Sequence, residues 1–282
     1  RWITIPLINQ TFQPSDLAKF ALIVTLASML AKRQDKIDDV KEALIPMLLW
    51  IGVICGLIAM SNFSTAILVF TTCMLMLFIG RVSMKYLFLL IAIGIVAGGI
   101  ALAVGQRAET VISRVQSFIA ADEVPYQAEQ SYIAIAKGGL IRFAPGGSTQ
   151  RNFLPSPYSD FIYAIVIEEY GLVGGVFVLF LYLALLYRGT RMVSKSERTY
   201  GGLLAAGLSF ALVFQAMVNM GVAVGLGPIT GLTLPLVSMG GTSQLFTGIA
   251  IGIVLSVSRG EIEEVASNSS SGNKFKKVVE IA

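Results

Sequence analysis

Seven stretches of the chain are apolar over most of their length: Leu17–Ala31, Ala43–Met60, Thr65–Ile79, Tyr86–Val104, Phe161–Tyr187, Gly201–Val224 and Gly241–Val257. A helix that crosses hydrocarbon needs about 20 mostly apolar residues at a rise of ~1.5 Å each. The longer runs meet that length and the shorter ones reach it with flanking residues, so the pattern predicts an all-α polytopic membrane protein with about seven transmembrane helices. Two interruptions stand out. A long polar loop fills 106–159, and the segment GPITGLTLPLVSMGGTS, Gly227–Ser243, carries glycines at 227, 231, 240 and 241 and prolines at 228 and 235. No continuous helix tolerates that composition. Broken backbone at membrane depth survives only where protein or a water-filled cavity surrounds it, so a re-entrant, cavity-lining segment is expected here.

Lysine and arginine then sort the connections. Lys32, Arg33, Lys36 and Lys41 share one loop, Arg81 and Lys85 the next alternate one, Arg188, Arg191, Lys195 and Arg198 a third, and Arg259 begins the tail. Alternating spans put these four segments on one side, and their cations mark it as cytoplasmic. The N-terminal segment, the turn Ser61–Ser64, the 106–159 loop and the Gly/Pro-rich segment then face outward. That outer loop still carries Arg107, Arg114, Lys137, Arg142 and Arg151. They are either solvated surface charges or partners for an anionic ligand outside the membrane. Residues 1–260 read as a single transmembrane domain, and 261–282, with its Ser/Asn/Gly centre, as a disordered cytoplasmic tail whose Lys274, Lys276 and Lys277 lie near anionic lipid.

Composition agrees with this picture and narrows the chemistry. The chain is 55% hydrophobic and 13% charged, with a mean hydropathy of +0.76, whereas soluble domains carry roughly a quarter charged residues. The net charge of +4 reflects loop orientation, and no nucleic-acid partner is expected. Cys55 and Cys73 lie inside apolar runs, where packing is their ordinary role. The absence of histidine excludes a His general base, a Ser-His triad and a His-ligated zinc. Proton chemistry is left to carboxylates, Lys and Tyr. A start at Arg1-Trp2 reads as a piece of a longer protein.

The leading catalytic candidate is Asp160, a carboxylate at the outer mouth of the fifth run, where water is near and a helix holds it. The start of a helix favours its ionised form, and simple capping by Asp160 or Ser159 is the structural alternative. Glu168 and Glu169 lie about 12 Å further along at ~1.5 Å per residue and point elsewhere, so Glu168 is a supporting residue at most. Asp16 and Lys19, spaced i and i+3, can pair with each other or bridge to another span. Ser238, Thr242 and Ser243 can meet a polar ligand or satisfy the broken backbone around them. No second carboxylate lies close in sequence to Asp160, so no cofactor is assigned, and help from a divalent cation, Mg²⁺ or Mn²⁺, stays open.

Three segments carry a family resemblance: FQPSDLAKFALI at Phe12–Ile23, NFLPSPYSDFIYAIVIEEYGLVG at Asn152–Gly174, and GPITGLTLPLVSMGGTS. Together they resemble the SEDS family, the FtsW/RodA peptidoglycan glycosyltransferases, in order across nearly the whole chain. The SPYSDFIYAIVIEEYG wording is closer to the division branch. The resemblance implies the C-terminal part of a ten-helix SEDS fold, polymerisation of lipid II outside the cytoplasmic (inner) membrane of a bacterium, and an essential aspartate at Asp160. It further implies that Asp16 and Lys19 support the active cavity. It implies a class B penicillin-binding protein, a transpeptidase, as partner within a larger divisome or elongasome. This chain lacks the full SxxK, SxN and KTG set of such a transpeptidase.

Glycan elongation needs a base for the attacking sugar hydroxyl and cations for the departing pyrophosphate. Asp160 supplies the base. Arg114 and Arg151 are the first candidates for the phosphates, since a guanidinium binds them bidentately, followed by Lys137 and Arg142. Two other functions remain in view: a flippase or transporter for the lipid-linked precursor, and a non-catalytic division scaffold. A transporter keeps its working charges near the midplane, which disfavours the first. A scaffold needs no carboxylate at a cavity mouth.

Overall fold

A computed structural model describes residues 3–5, 10–34, 37, 39–104, 108–120, 124–195 and 199–279, with side chains described between residues 13 and 260 apart from short gaps. Arg1, Trp2, Lys36, Arg107 and Arg198, named above, lie outside the described residues, as do the side chains of the tail lysines. The described helices are α1 (Pro14–Lys32), α2 (Ile45–Ser61), α3 (Phe63–Ile79), α4 (Met84–Val104), α5 (Ala108–Ala120), α6 (Tyr126–Gly138), α7 (Ile162–Lys195), α8 (Thr199–Ala223) and α9 (Gly241–Val279). Six are long and apolar enough to cross a membrane: α1, α2 with the turn before it, α4, α7, α8 and the Gly241–Gly260 part of α9. The seventh expected span, α3, is apolar but has only 17 residues.

Local chemistry explains the boundaries. Pro14 and Pro46 sit in the first turns of α1 and α2, where a missing N–H is harmless. Asn62 ends α2 and caps α3 by accepting from the Thr65 N–H at 3.3 Å, so the chain reverses over one residue. Asp39 accepts from the N–H groups of Lys41 and Glu42 at 3.0 and 3.4 Å and starts a π-helical turn, Val40–Leu44.

Helix α8 is the hub, packed by α1, α3, α7 and α9. Its buried face is rich in small residues, Gly202, Ala205, Ala206, Ala211 and Ala216, which let helices approach where hydrocarbon offers no hydrophobic drive to pack. Against α7 the fit is tightest at Gly189, where an added Cβ would lie 2.2 Å from the Ser209 hydroxyl. Leu22, Ile23, Leu26 and Leu30 of α1 and Leu68, Val69, Met76 and Leu77 of α3 complete the main core.

Three features go beyond the sequence reading. A hairpin of β1 (Ile3–Ile5) and β2 (Gln10–Phe12) precedes α1. The 106–159 loop contains α5 and α6, and α9 stays helical to Val279 where a disordered tail is expected. Helix α7 is also not the single rod that its sequence suggests. At Gly171 the backbone turns to φ 70°, ψ −178°, a region open essentially to glycine. The irregular segment 139–144 fills the break: Gly139 and Leu140 carbonyls accept from the N–H groups of Leu172 and Val173 at 2.9 and 3.2 Å, and the Ala144 N–H donates to the Glu169 carbonyl at 2.9 Å.

Candidate active site

Asp160 sits half-buried in the turn just before α7, whose first bonds run from Ala164 and Ile165 to the Phe161 carbonyl. Three successive carbonyls hold this turn in place. That of Tyr158 accepts from the Met239 N–H at 2.8 Å, that of Ser159 from the Ser238 hydroxyl at 2.6 Å, and that of Asp160 from the Asn219 amide at 2.8 Å. Two of the donors belong to the broken segment between α8 and α9, and the third to α8. The Asp160 carboxylate accepts from the Ser159 hydroxyl at 2.9 Å, so that hydroxyl serves the carboxylate. An added Cβ on Gly231 would lie 3.7 Å from the second carboxylate oxygen, so the glycine backbone borders the site closely.

The broken segment is itself well satisfied. Ser238 accepts from the Leu234 N–H at 2.7 Å while it donates to Ser159. The Asn219 amide donates to the Leu232 carbonyl at 2.7 Å, Gln215 to the Thr233 carbonyl at 2.9 Å, and the Tyr182 hydroxyl to the Pro235 carbonyl. Two residues with left-handed backbone, Ser156 (φ 62°) and Leu236 (φ 69°), lie on the two segments that meet at Asp160. Such strain persists only where its surroundings enforce it.

Asp16 and Lys19 are joined to the same segment. Lys19 Nζ lies 3.5 Å from the Asp16 carboxylate and donates to Gln215 Oε1 at 3.0 Å. Gln215 reaches Thr233, whose hydroxyl is 3.5 Å from that of Ser243. The pair therefore bridges to a second span as well as to itself. One end of each of α1, α7, α8 and α9 meets here, as alternating spans require.

The remaining candidates separate. Arg114, on α5, donates to the Ile229 carbonyl at 3.0 Å and lines a cavity of about 490 Å³ with Ser113, Ser117, Tyr132 and Pro228. The Ile229 side chain packs against the cluster of Leu154, Phe161 and Ile165, so one residue links the Arg114 cavity to the Asp160 turn. Arg151 is half-buried in the turn Gln150–Asn152, its N–H donating to the Ser148 hydroxyl at 3.2 Å. Lys137 and Arg142 are held elsewhere, donating to the Thr149 hydroxyl and the Lys137 carbonyl at 3.0 and 3.1 Å, beside the α7 break. Ser238 braces backbone, and the Thr242 hydroxyl is a buried atom without a partner.

Glu168 is fully buried and receives the Ser148 hydroxyl, the Thr149 N–H and hydroxyl and the Gln150 N–H. Glu169 takes the Ser148 N–H at 3.3 Å. Both carboxylates thus grip the loop that leads into Asn152–Asp160. Among the described residues no group of three or more His, Cys, Asp or Glu side chains gathers at one point. A Mg²⁺ or Mn²⁺ ion at Asp160 would need oxygens from a bound phosphate to fill its shell. The residues missed by sequence reasoning are Gln215, Asn219 and Thr233. The signal was there: two amides spaced i and i+4 in a run otherwise apolar.

Comparison with known proteins identifies the lineage. A family model described as a cell cycle protein, covering FtsW, RodA and SpoVE, matches residues 1–263. Stage V sporulation protein E of Bacillus subtilis (strain 168) is 34% identical over 268 residues, covering 92% of this chain and 71% of its own. The probable peptidoglycan glycosyltransferase FtsW of Geobacter sp. (strain M18) is 35% identical over 265 residues, with the same coverage. Crystallised RodA of Thermus thermophilus superposes with a TM-score of 0.63 at 28% identity, covering 92% of this chain and 69% of that one. A chain solved in work on coordinated polymerization and crosslinking by a peptidoglycan synthase complex gives 0.70 at 28%, with 92% and 73% covered. A match over nearly the whole chain, at these identities, makes this protein a member of the FtsW/RodA/SpoVE family of multi-pass membrane proteins.

Proposed function

We propose that the chain is a peptidoglycan glycosyltransferase that polymerises lipid II on the outer face of the bacterial cytoplasmic membrane, in the service of septal wall synthesis. One observation carries the reading: a carboxylate, Asp160, is fixed by three successive backbone ties where a helix start meets the broken segment between α8 and α9. Relatives named as peptidoglycan glycosyltransferases support the reaction class.

In the proposed step the hydroxyl of the acceptor sugar attacks the anomeric carbon of the donor. Its proton passes to Asp160 as the new C–O bond forms, and the bond to the lipid pyrophosphate breaks. Undecaprenyl pyrophosphate leaves with the negative charge. Arg114 is the cation best placed to meet it, because Ile229 ties its cavity to the Asp160 turn and four of its guanidinium N–H donors remain beyond the Ile229 bond. Asp16, Lys19, Gln215 and Asn219 act at one remove by fixing the segment that borders the carboxylate. A class B penicillin-binding protein would cross-link the product, and the likeness to a chain from a peptidoglycan synthase complex supports that partnership.

The test is direct. Purified full-length protein is given lipid II with and without its transpeptidase, and glycan length is read on a gel. Polymer is the expected product. Translocation of lipid II across vesicles without polymer would replace this reading with the flippase.

A further inference from the structure

We infer that the segment 139–144 is an anchor for the outer leaflet, inserting Leu140, Ile141 and Phe143 among lipid tails while Arg142 and the nearby Lys137 meet headgroup phosphates. These three side chains are 67, 79 and 82% exposed. An isolated exposed leucine means little, but three large apolar groups within four residues of a rigid loop have no reason to face water.

The loop is rigid because α7 holds it. Its backbone bonds to Glu169, Leu172 and Val173 across the break. An added Cβ on Gly171 would meet the Leu140 carbonyl at 2.7 Å and the Arg142 nitrogen at 2.8 Å, and one on Gly138 would meet the Ile167 carbonyl at 2.0 Å. The Phe143 ring packs edge-on against Tyr170, with centroids 5.9 Å apart.

Depth follows from α7 itself. Its exposed apolar face begins with Leu172 and Val173, continues through Val176, Phe177 and Phe180 and ends at Tyr187, beside Arg188 and Arg191. Hydrocarbon about 30 Å thick takes about 20 helical residues. Counting outward from Arg188 and Arg191, the outer boundary falls at 168–171, level with the break. The loop tip is therefore continuous with the lipid-facing surface of α7. The two loop-gripping carboxylates, Glu168 and Glu169, lie at that boundary.

Charge completes the match. Lys137, exposed at the C-terminal end of α6, gives one ammonium donor to the Thr149 hydroxyl and Arg142 one guanidinium donor to the Lys137 carbonyl, leaving the others for phosphate oxygens. Apolar groups flanked by cations are the pattern of segments that lie in a headgroup boundary. Lys137 and Arg142 are thus assigned to the membrane surface, away from the reacting phosphates.

The experiment places a single cysteine at Ile141 in full-length protein freed of Cys55 and Cys73, carrying an environment-sensitive fluorophore, in phosphatidylglycerol/phosphatidylethanolamine vesicles without any partner. We expect loss of fluorescence with a shallow doxyl lipid and protection from aqueous iodide. Phe180→Cys serves as the lipid-facing control and Glu129→Cys, exposed on α6, as the aqueous one. Should Ile141→Cys not fold, Phe143→Cys gives the same readout. Iodide access without doxyl quenching overturns the inference. Shielding that appears only when the transpeptidase is added also overturns it, and marks the tip as a protein-docking surface.

Discussion

Removing the Glu168 carboxylate should loosen the whole approach to Asp160, and the size of the effect can be worked from its partners. The side chain is fully buried and accepts from two hydroxyls and from the N–H groups of Thr149 and Gln150. Hydroxyls can turn to other acceptors, but the two backbone N–H groups cannot. A buried donor left without a partner costs about 1–3 kcal/mol, so Glu168→Ala should lose about 2–6 kcal/mol. Glu168→Gln keeps one acceptor oxygen and should lose roughly half as much. At about 2–4 °C per kcal/mol for a chain of this size, the alanine variant should melt roughly 5–20 °C lower. Melting in detergent is measured at one fixed scan rate, because membrane proteins unfold irreversibly and the midpoint is a rate property. Limited proteolysis supplies the local readout, since cleavage should concentrate in 139–160. Ser148→Ala combined with Glu168→Ala should add little to Glu168→Ala alone, as both remove the same contact. An alanine variant with unchanged melting and an uncut loop would refute the reasoning.

Asn219→Ala leaves the Asp160 and Leu232 carbonyls without their side-chain donor and lets the turn drift, so we predict a fall in glycan synthesis of about 10- to 100-fold with the protein still folded by circular dichroism. Gly171→Ala forces a side chain into a glycine-only backbone region against the Leu140 carbonyl and should destabilise by about 1–3 kcal/mol, seen as lower melting, while Gly99→Ala, with nothing within 4 Å, should be neutral. For topology, Ser148 is a poor reporter because it is buried against Glu168. A cysteine at Glu129 should react with an impermeant thiol reagent from outside and one at Lys85 should not; the opposite pattern would invert the orientation.

The spans were legible because hydrocarbon length and apolar runs are the same quantity seen twice, and all seven runs became helices. The place of Asp160 at the head of α7 was legible, because there a polar loop gives way to an apolar run. What the sequence concealed was pairing across distance. Nothing local to Asn219 says that its amide meets the carbonyl of a residue 59 positions earlier. Nothing local to Glu168 says that it grips a loop rather than a substrate. The break at Gly171 was hidden because an apolar run with one glycine looks continuous, and only the 139–144 segment, paired across it, explains why that glycine is there. The amphipathic stripe of α5, Val111, Ile112, Val115, Phe118 and Ile119, is readable in the sequence at helical spacing even though the segment lies within the long polar stretch 106–159. The cations divided for the same reason: Arg114 was brought towards the site by Ile229, Lys137 and Arg142 towards the helix break.

The central claim is that Asp160 takes the proton of the attacking hydroxyl. Its most direct test compares Asp160→Asn with the unaltered full-length protein, each supplied with the proposed class B penicillin-binding partner, on purified lipid II. The amide keeps the size of the carboxylate and, with the three carbonyl ties untouched, should leave melting and complex formation as they were. Base catalysis contributes about 10²- to 10⁴-fold, so polymer should fall by at least the lower of these factors. Glycan strands made at a near-normal rate by Asp160→Asn would contradict the account.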